Sequence, residues 1–457
     1  MKPNLIAYET DASLIEGNVA NVLFPKNAEE VKRFVIAGNN LVPRGSGSGL
    51  AGGAVPIDSI VLDMSKMNKL IRVDETRMIA EVEPGIILDE LNLELAKRGL
   101  EFPVNPSSHA IATIGGMIAT NAVGSRAIKY GRTSNWVSSI EVVNGKGEIL
   151  EIGKADLMEF SGMEGITGII TKAKLKLIRK RLRTASVMKS LDIVKIIETI
   201  KKLKAISEVS MIEFFDKKTS KIMGLGEEYH LIVEFESEQG KLKGLEYEKV
   251  MGIRDSSYPK LAGEGYSVIE DPKIFLEKVP EFLDYLERQD IPVFGHLGVG
   301  ILHPCFKRGD KRIEEVMLLT KKLHGQVTGE HGYGLSKKKF IEPSDAKLIE
   351  RVKKRHDPFN KINPNKVIDT KIKKEKVKKD IAEESLENFE ENEENETINN
   401  KEQEKLEIKE AIHEESINNA DDAEELMKNN LNNGIEEENG LLKSNENNEI
   451  KELENEK

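Results

Sequence analysis

Pro43-Arg44-Gly45-Ser46-Gly47-Ser48-Gly49-Leu50-Ala51-Gly52-Gly53-Ala54-Val55-Pro56 is the stretch that decides how the rest of this chain is read. Five glycines and two serines in fourteen residues leave a backbone nearly bare of side chains, so successive N–H groups can converge on one anion. Such a loop suits a pyrophosphate. Gly47 to Gly52 also matches GxGxxG, but a dinucleotide-binding βαβ unit needs a helix directly after the loop and an acidic residue about 20 positions on. Gly53 and Pro56 deny that helix. Ile60-Val61-Leu62-Asp63 reads as a strand instead, and Asp63 comes too early. The expectation is a pyrophosphate loop between strands. A plain linker does not fit, because apolar strand-like segments flank the loop on both sides.

Composition divides the 457 residues unevenly. Residues 371–457 hold 13 Lys and Arg against 28 Asp and Glu, with 16 Asn, one Phe and no Pro, Trp or Tyr. Residues 1–370 hold 55 basic against 51 acidic residues. A segment of low hydrophobicity and high net charge cannot bury enough apolar surface to offset its ordering entropy. The sequence therefore predicts a disordered acidic tail over 371–457, dispensable for the chemistry, and enough chain in 1–370 for two domains. The near-neutral charge of 1–370 gives no reason to expect a nucleic-acid partner. Cys305 is the only cysteine, which excludes an internal disulfide, a cysteine-ligated iron–sulfur cluster and a four-Cys zinc site within the chain. No apolar run is long enough to span a membrane and no signal-peptide core follows Met1, so a cytoplasmic protein is expected.

Periodicity supplies the elements. Ala28 to Ile36 has helical spacing, Arg77 to Glu83 alternates, and Ile86 to Arg98 reads as an amphipathic helix with Leu88, Leu91 and Leu95 inward. Trp136 to Ile152 reads as a hairpin around Asn144-Gly145-Lys146-Gly147, and Thr171 to Leu177 as a half-buried antiparallel strand. Further on come helices over Leu191–Lys204, Pro272–Gln289, Arg312–His324 and Ala346–His356, with strands near 210–215, 230–235 and 291–295. This is an α+β chain without the regular βαβ rhythm of a doubly wound sheet.

A second constellation lies in Gly295-His296-Leu297-Gly298-Val299-Gly300-Ile301-Leu302-His303 and in Gly329-Glu330-His331-Gly332. His296, His303 and Glu330 offer two imidazoles and a carboxylate, a donor set for a divalent metal with open positions. Zinc, manganese and iron all remain open. His331 beside Glu330 is placed to act as a general base. Read singly, each of these histidines could merely cap a turn; their shared glycine-rich context argues for a joint role. His109, His230, His356 and Cys305 read as ordinary loop, strand or core residues.

On these two constellations the chain resembles the FAD-linked oxidases, the glycolate oxidase large subunit and the flavin-dependent D-lactate dehydrogenases, within the vanillyl-alcohol-oxidase-like fold. The resemblance spans residues 20–370. Arg44, Gly45, Ser46, Gly47, Ser48 and Gly49 match the pyrophosphate loop. Pro106, Ser107, Thr113, Gly115, Gly116 and Asn121 match a second flavin-binding stretch, and Glu164, Gly168 and Ile170 a third. Asn363 falls in an Asn-Pro motif near the isoalloxazine. The resemblance also implies His296, His303 and Glu330 as metal ligands, His331 as base, and Arg254 as the partner of the substrate carboxylate. Taken alone, Arg254 would read as a surface arginine.

The implied architecture is a two-part FAD-binding domain (PCMH-type) over 1–184, a reduced α+β substrate cap over 185–330, a segment over 331–370 returning to the FAD domain, and the tail. The implied activity is oxidation of a 2-hydroxy acid, of the D-lactate or glycolate class, by hydride transfer to non-covalent FAD with a separate electron acceptor. Two alternatives keep the fold: a non-catalytic FAD-carrying subunit of a larger oxidase complex, and an alkylglycerone-phosphate synthase. Three departures from the family pattern stand out. Val299 and Ile301 replace Asp and Asn, the stretch from Leu177 to Arg254 is short, and the tail has no counterpart.

Overall fold

A computed structural model describes residues 5–370 of the chain, all within one compact unit. The expected acidic tail over 371–457 lies outside the described residues.

Alternating apolar segments build three main sheets. Asn18–Leu23, Ile57–Asp63 and Leu41–Arg44 pair in parallel, with Ile57–Asp63 in the middle. The helix Ala28–Ile36 makes the crossover; Asn27 caps it by accepting from the Glu30 amide, and Val31, Phe34 and Val35 are buried. The glycine loop runs from Arg44 to Ile57, out of one strand and back into the central one, with no helix between them. That is the arrangement expected from Gly53 and Pro56.

A five-stranded antiparallel sheet follows, in the order Leu70–Asp74, Ile79–Val82, Gly168–Lys176, Val137–Asn144, Ile149–Ile152. The hairpin and the alternating strand appear as read, with Ala173 and Leu175 buried. The helix Leu88–Ala96 covers one face of this layer through Leu88, Leu91 and Leu95. Burying each leucine contributes about 1.5–3 kcal/mol.

The six-stranded antiparallel sheet runs Thr184–Ser190, Tyr229–Phe235, Val209–Phe215, Val293–Gly295, His303–Phe306, Val268–Ile269. Helices Ile193–Leu203, Val279–Arg288 and Arg312–Lys322 pack on it. One expectation needs correction: the helix read over Pro272–Gln289 begins only at Val279. Lys273 exchanges backbone hydrogen bonds with Gln326, and Ile274 donates to the Gly300 carbonyl, so this stretch is held extended. Pro280 then falls in the first helical turn, where a missing N–H costs nothing. Among the described residues, six helices were not read from the sequence: Ile114–Thr120, Ala127–Tyr130, Thr133–Trp136, Lys217–Ile222, Leu245–Asp255 and Ser257–Gly263. Ser257–Gly263 carries Pro259 inside it, and Ile114–Thr120 opens on two glycines.

Buried charges join the five- and six-stranded layers. Arg126 grips Glu234 with two hydrogen bonds of 2.9 and 3.1 Å, and Ser210 and Tyr247 also donate to that carboxylate. Arg183 pairs with Glu101 and reaches Glu236, which also takes Lys129 and the Tyr130 hydroxyl.

Candidate active site

Between these layers lies a cavity of about 500 Å³. The glycine loop forms part of its wall, and His303, Glu330 and His331 stand in it too. Of the residues expected to hold the cofactor, Arg44 to Gly49, Pro106, Ser107, Thr113, Gly115, Gly116, Glu164, Gly168 and Ile170 line it. Asn121 and Asn363 do not. Asn121, left-handed at φ 53°, closes the helix Ile114–Thr120 and accepts from the Ser134 amide. Asn363 works from behind the wall, donating to the Gly53 and Glu164 carbonyls at 2.9 and 2.8 Å.

The loop geometry meets the requirement for an anion nest. Among the described residues, no acceptor engages the amides of Ser46, Gly47, Ser48 or Gly49. Gly47 has φ +72°, which L side chains resist, and a Cβ there would lie 2.3 Å from the Arg44 guanidinium. A Cβ on Gly45 would meet Thr113 Oγ1 at 2.2 Å, whereas one on Gly49 would point into open space. The loop is thus packed against the protein on one side and bare on the other.

Elsewhere in the wall, Nε2 of three histidines converges on one oxygen, Glu330 Oε1: His303 at 3.1 Å, His296 at 3.6 Å and His331 at 3.6 Å. His296, His303 and Glu330 place one donor atom each within 4.8 Å of one another. The strands Val293–Gly295 and His303–Phe306 pair through Phe294 and His303, and the bend between them brings back His296. Each ligand candidate is held from its far side. Glu213 takes Nδ1 of His296, and the Glu270 carbonyl takes Nδ1 of His303 at 3.1 Å. Both Nδ1 atoms therefore donate, and each Nε2 faces the carboxylate, where it carries a proton to Glu330 or, with a cation bound, would turn a lone pair to that cation. Such a triad needs a positive species at its centre.

Burial opposes charge on His296, but Glu213 and Glu330 outweigh it and raise its pKa to about 9. Burial also works against ionising Glu330, and His296 and His303 hold it well below the usual carboxylate range all the same. His331 goes the other way. Burial lowers it to about 4, Asp271 opposing and Lys337 assisting, so it is an uncharged imidazole at neutral pH. Its Nδ1 lacks a hydrogen-bond partner.

The loop carrying Glu330 and His331 is anchored by Asp271. Its Oδ2 accepts from the amides of Gly329, Glu330 and His331 at 2.9, 2.6 and 2.6 Å and from the Thr328 hydroxyl at 2.9 Å. Its Oδ1 pairs with buried Lys337. Glu164 performs a similar task from the cavity wall, accepting from the Tyr333 and Gly334 amides. Burial raises the Glu164 carboxyl to about 7, the two amides pulling the other way.

Sequence reading passed over Glu213, Asp271 and Lys337. Glu213 did leave a signal, being the single charge in the apolar run Met211-Ile212-Glu213-Phe214-Phe215.

Arg254 lies at the end of the helix Leu245–Asp255 and is buried, not at the surface. Its guanidinium meets Glu213 at 3.4 Å, Asp255 at 2.7 Å and the Ser107 hydroxyl at 3.1 Å. Ser107 and Asp255 line the cavity, and Arg254 stands directly behind them. Val299 and Ile301 pack with Val123 and Ala127 as core. His109 turns to Asp89 at 2.8 Å, and Cys305 is buried inside the His303 strand.

Residues 19–153 match the FAD binding domain family model, and residues 245–367 match that of the FAD linked oxidases, C-terminal domain. The chain is 30% identical to the D-lactate dehydrogenase of Archaeoglobus fulgidus over 412 residues, covering 76% of this chain and 91% of that protein. It belongs to the FAD-linked oxidases. It is 28% identical to glycolate oxidase subunit GlcD of Bacillus subtilis, over 76% of this chain and 88% of the relative. Identity to the D-2-hydroxyglutarate dehydrogenase of Stutzerimonas stutzeri is 27%, over 76% and 90%. These relationships make the chain an FAD-linked oxidoreductase of the 2-hydroxy-acid dehydrogenase type. A solved alkyldihydroxyacetonephosphate synthase shares the fold, with a TM-score of 0.57 over 77% of this chain and 78% of that one, at 18% identity. No helix among the described residues is long and apolar enough to cross a membrane.

Proposed function

We propose that this oxidoreductase converts a 2-hydroxy acid to the 2-oxo acid, with FAD in the cavity and a divalent cation between His296, His303 and Glu330. The observation that carries the reading is the convergence of three imidazoles on Glu330 Oε1, in the wall of the same cavity that the bare glycine loop closes. Residues 1–184 would then carry FAD, 185–330 would cover the substrate, and 331–370 would return to the FAD half.

The residues fit both groups. The unengaged amides of Ser46 to Gly49 suit a pyrophosphate, and His109, held by Asp89, leaves FAD non-covalent. The two Nε2 lone pairs and the Glu330 carboxylate suit a cation with open positions, and the partners on Nδ1 fix both tautomers. When bound, FAD supplies a two-electron acceptor and a divalent cation supplies Lewis acidity.

The chain's own residues do the rest. His331, uncharged and in the cavity wall, takes the hydroxyl proton at Nε2, the nitrogen directed at Glu330. Asp271 keeps that ring in place through the His331 amide. Arg254 supports the substrate carboxylate from behind Ser107 and Asp255. Electrons must leave to a separate acceptor, because a chain with one cysteine cannot hold a cysteine-ligated iron–sulfur cluster.

The test is anaerobic bleaching of the bound flavin by D- and L-2-hydroxy acids, with metal analysis alongside. His303→Ala should lose both bleaching and bound divalent metal while the protein stays yellow. A native protein free of metal, whose bleaching chelators leave untouched, removes the cation from the reading. No bleaching by any 2-hydroxy acid removes the reaction.

A further inference from the structure

We infer that the substrate end of the cavity selects a 2-hydroxy monocarboxylate with a short apolar side chain and rejects a dicarboxylate. The inference rests on the reading above and concerns what stands opposite the reacting atoms.

The wall beside His303 is apolar and can be traced contact by contact. The Phe294 ring lies 5.0 Å from the His303 ring. Ile269 precedes Glu270, whose carbonyl holds His303, and pairs across the sheet with Cys305. Phe294 and Ile269 belong to one buried cluster, against which Tyr258 packs. Phe294, Ile269, Tyr258 and Pro259 all line the cavity. The side chain of a substrate held at His303 and His331 therefore meets hydrocarbon and ring faces.

The charges nearby point the same way. The carboxylates in the lining, apart from Glu330, are Asp255 and Glu164, the latter beside Gly332 and the Tyr333 amide. The nearby guanidinium, Arg254, is already met by Glu213 and Asp255, so together these three groups carry a net negative charge. Arg44, the only lysine or arginine in the lining, donates to the Ala54 carbonyl and has the carboxylates of Asp11 and Asp63 beside it. One substrate carboxylate can be shared with Arg254. A second finds no uncommitted lysine or arginine in the lining, and it would exchange water for an apolar wall and a like charge.

An unpaired carboxylate facing such a wall should lower kcat/KM by roughly 100-fold or more. The test compares 2-hydroxybutyrate with 2-hydroxyglutarate, in the enantiomeric series that bleaches the flavin, on the FAD-loaded full-length protein. A preference for the monocarboxylate of at least roughly 30-fold is expected, and a smaller ratio overturns the inference. Tyr258→Arg, which adds a cation to the wall, should cut the ratio about tenfold by raising kcat/KM for 2-hydroxyglutarate. If that variant loses FAD, Asp255→Asn should narrow the ratio by removing the like charge. The ratio is the decisive readout, because freeing Arg254 helps both acids equally. A ratio unchanged in the FAD-binding variants overturns the inference. If neither acid nor lactate bleaches the wild type, the reading of the reaction falls and this inference falls with it.

Discussion

Asp271→Asn tests how the site is held. The wild-type carboxylate offers Oδ2 to three amides and a hydroxyl and Oδ1 to Lys337, in a wholly buried position. Asparagine keeps one acceptor oxygen, so one orientation turns its NH2 toward Lys337 and the other toward the loop amides. Either way a donor faces a donor. Hydrogen bonds to a charged acceptor contribute about 1.5–3 kcal/mol each and neutral ones about 0.5–1.5, so a loss of roughly 1 kcal/mol for each of three or four donors gives about 3–4 kcal/mol. Thr328→Val, which removes one donor, should cost about 1 kcal/mol. Equilibrium urea unfolding at fixed excess FAD measures both. Because the same bonds set the positions of Glu330 and His331, flavin reduction in Asp271→Asn should fall by roughly 100-fold while FAD stays bound. A stability loss under about 1 kcal/mol, or normal reduction in a destabilised protein, would refute the anchoring role.

Other consequences can be checked separately. Gly47→Ala forces a side chain into φ +72° against Arg44, and should weaken FAD binding by about tenfold or more, measured by flavin fluorescence titration; an unchanged Kd contradicts the nest. Glu164 has its folded pKa raised by burial from 4.5 to about 7, so its contribution to stability is present below pH 4.5 and lost as pH rises through 7. Glu164→Gln should therefore gain on wild type by up to about 3 kcal/mol between those limits, and a flat difference denies the shift. Burial holds the Cys305 thiol far above its ordinary pKa, so labelling by a thiol reagent should proceed only as fast as the protein opens; rapid labelling of the folded state would contradict that burial.

Much of the framework was legible because its signals are local. The helix Ala28–Ile36, the hairpin from Val137 to Ile152 and the alternating strand Gly168–Lys176 each announce themselves by spacing within a dozen residues. The glycine loop was readable because Pro56 and two adjacent glycines forbid the alternative. His296, His303 and Glu330 were legible as a set through their glycine-rich surroundings, and the structure brings them within 4.8 Å.

What stayed hidden depends on distant partners. Asp271 immediately precedes the stretch read as a helix from Pro272, and its role is set by a loop nearly sixty residues away. The stretch after it is extended because Gln326 and Gly300 claim its backbone. The helix Leu245–Asp255 has too weak an apolar stripe to be seen, and the burial of Arg254 depends on Glu213, 41 positions earlier.

The charges that clasp the two large layers have a mechanical consequence. Separating the layers would pull Arg126 from Glu234, Lys129 from Glu236 and Arg183 from Glu101. Opening would return these ions to water, so the pairs themselves oppose it only weakly; closing them out of register would instead leave a buried charge unpaired, at a cost of about 3–5 kcal/mol. The clasp thus acts as a key, fixing which register of the two layers, and so which bite of the cleft, the folding chain accepts.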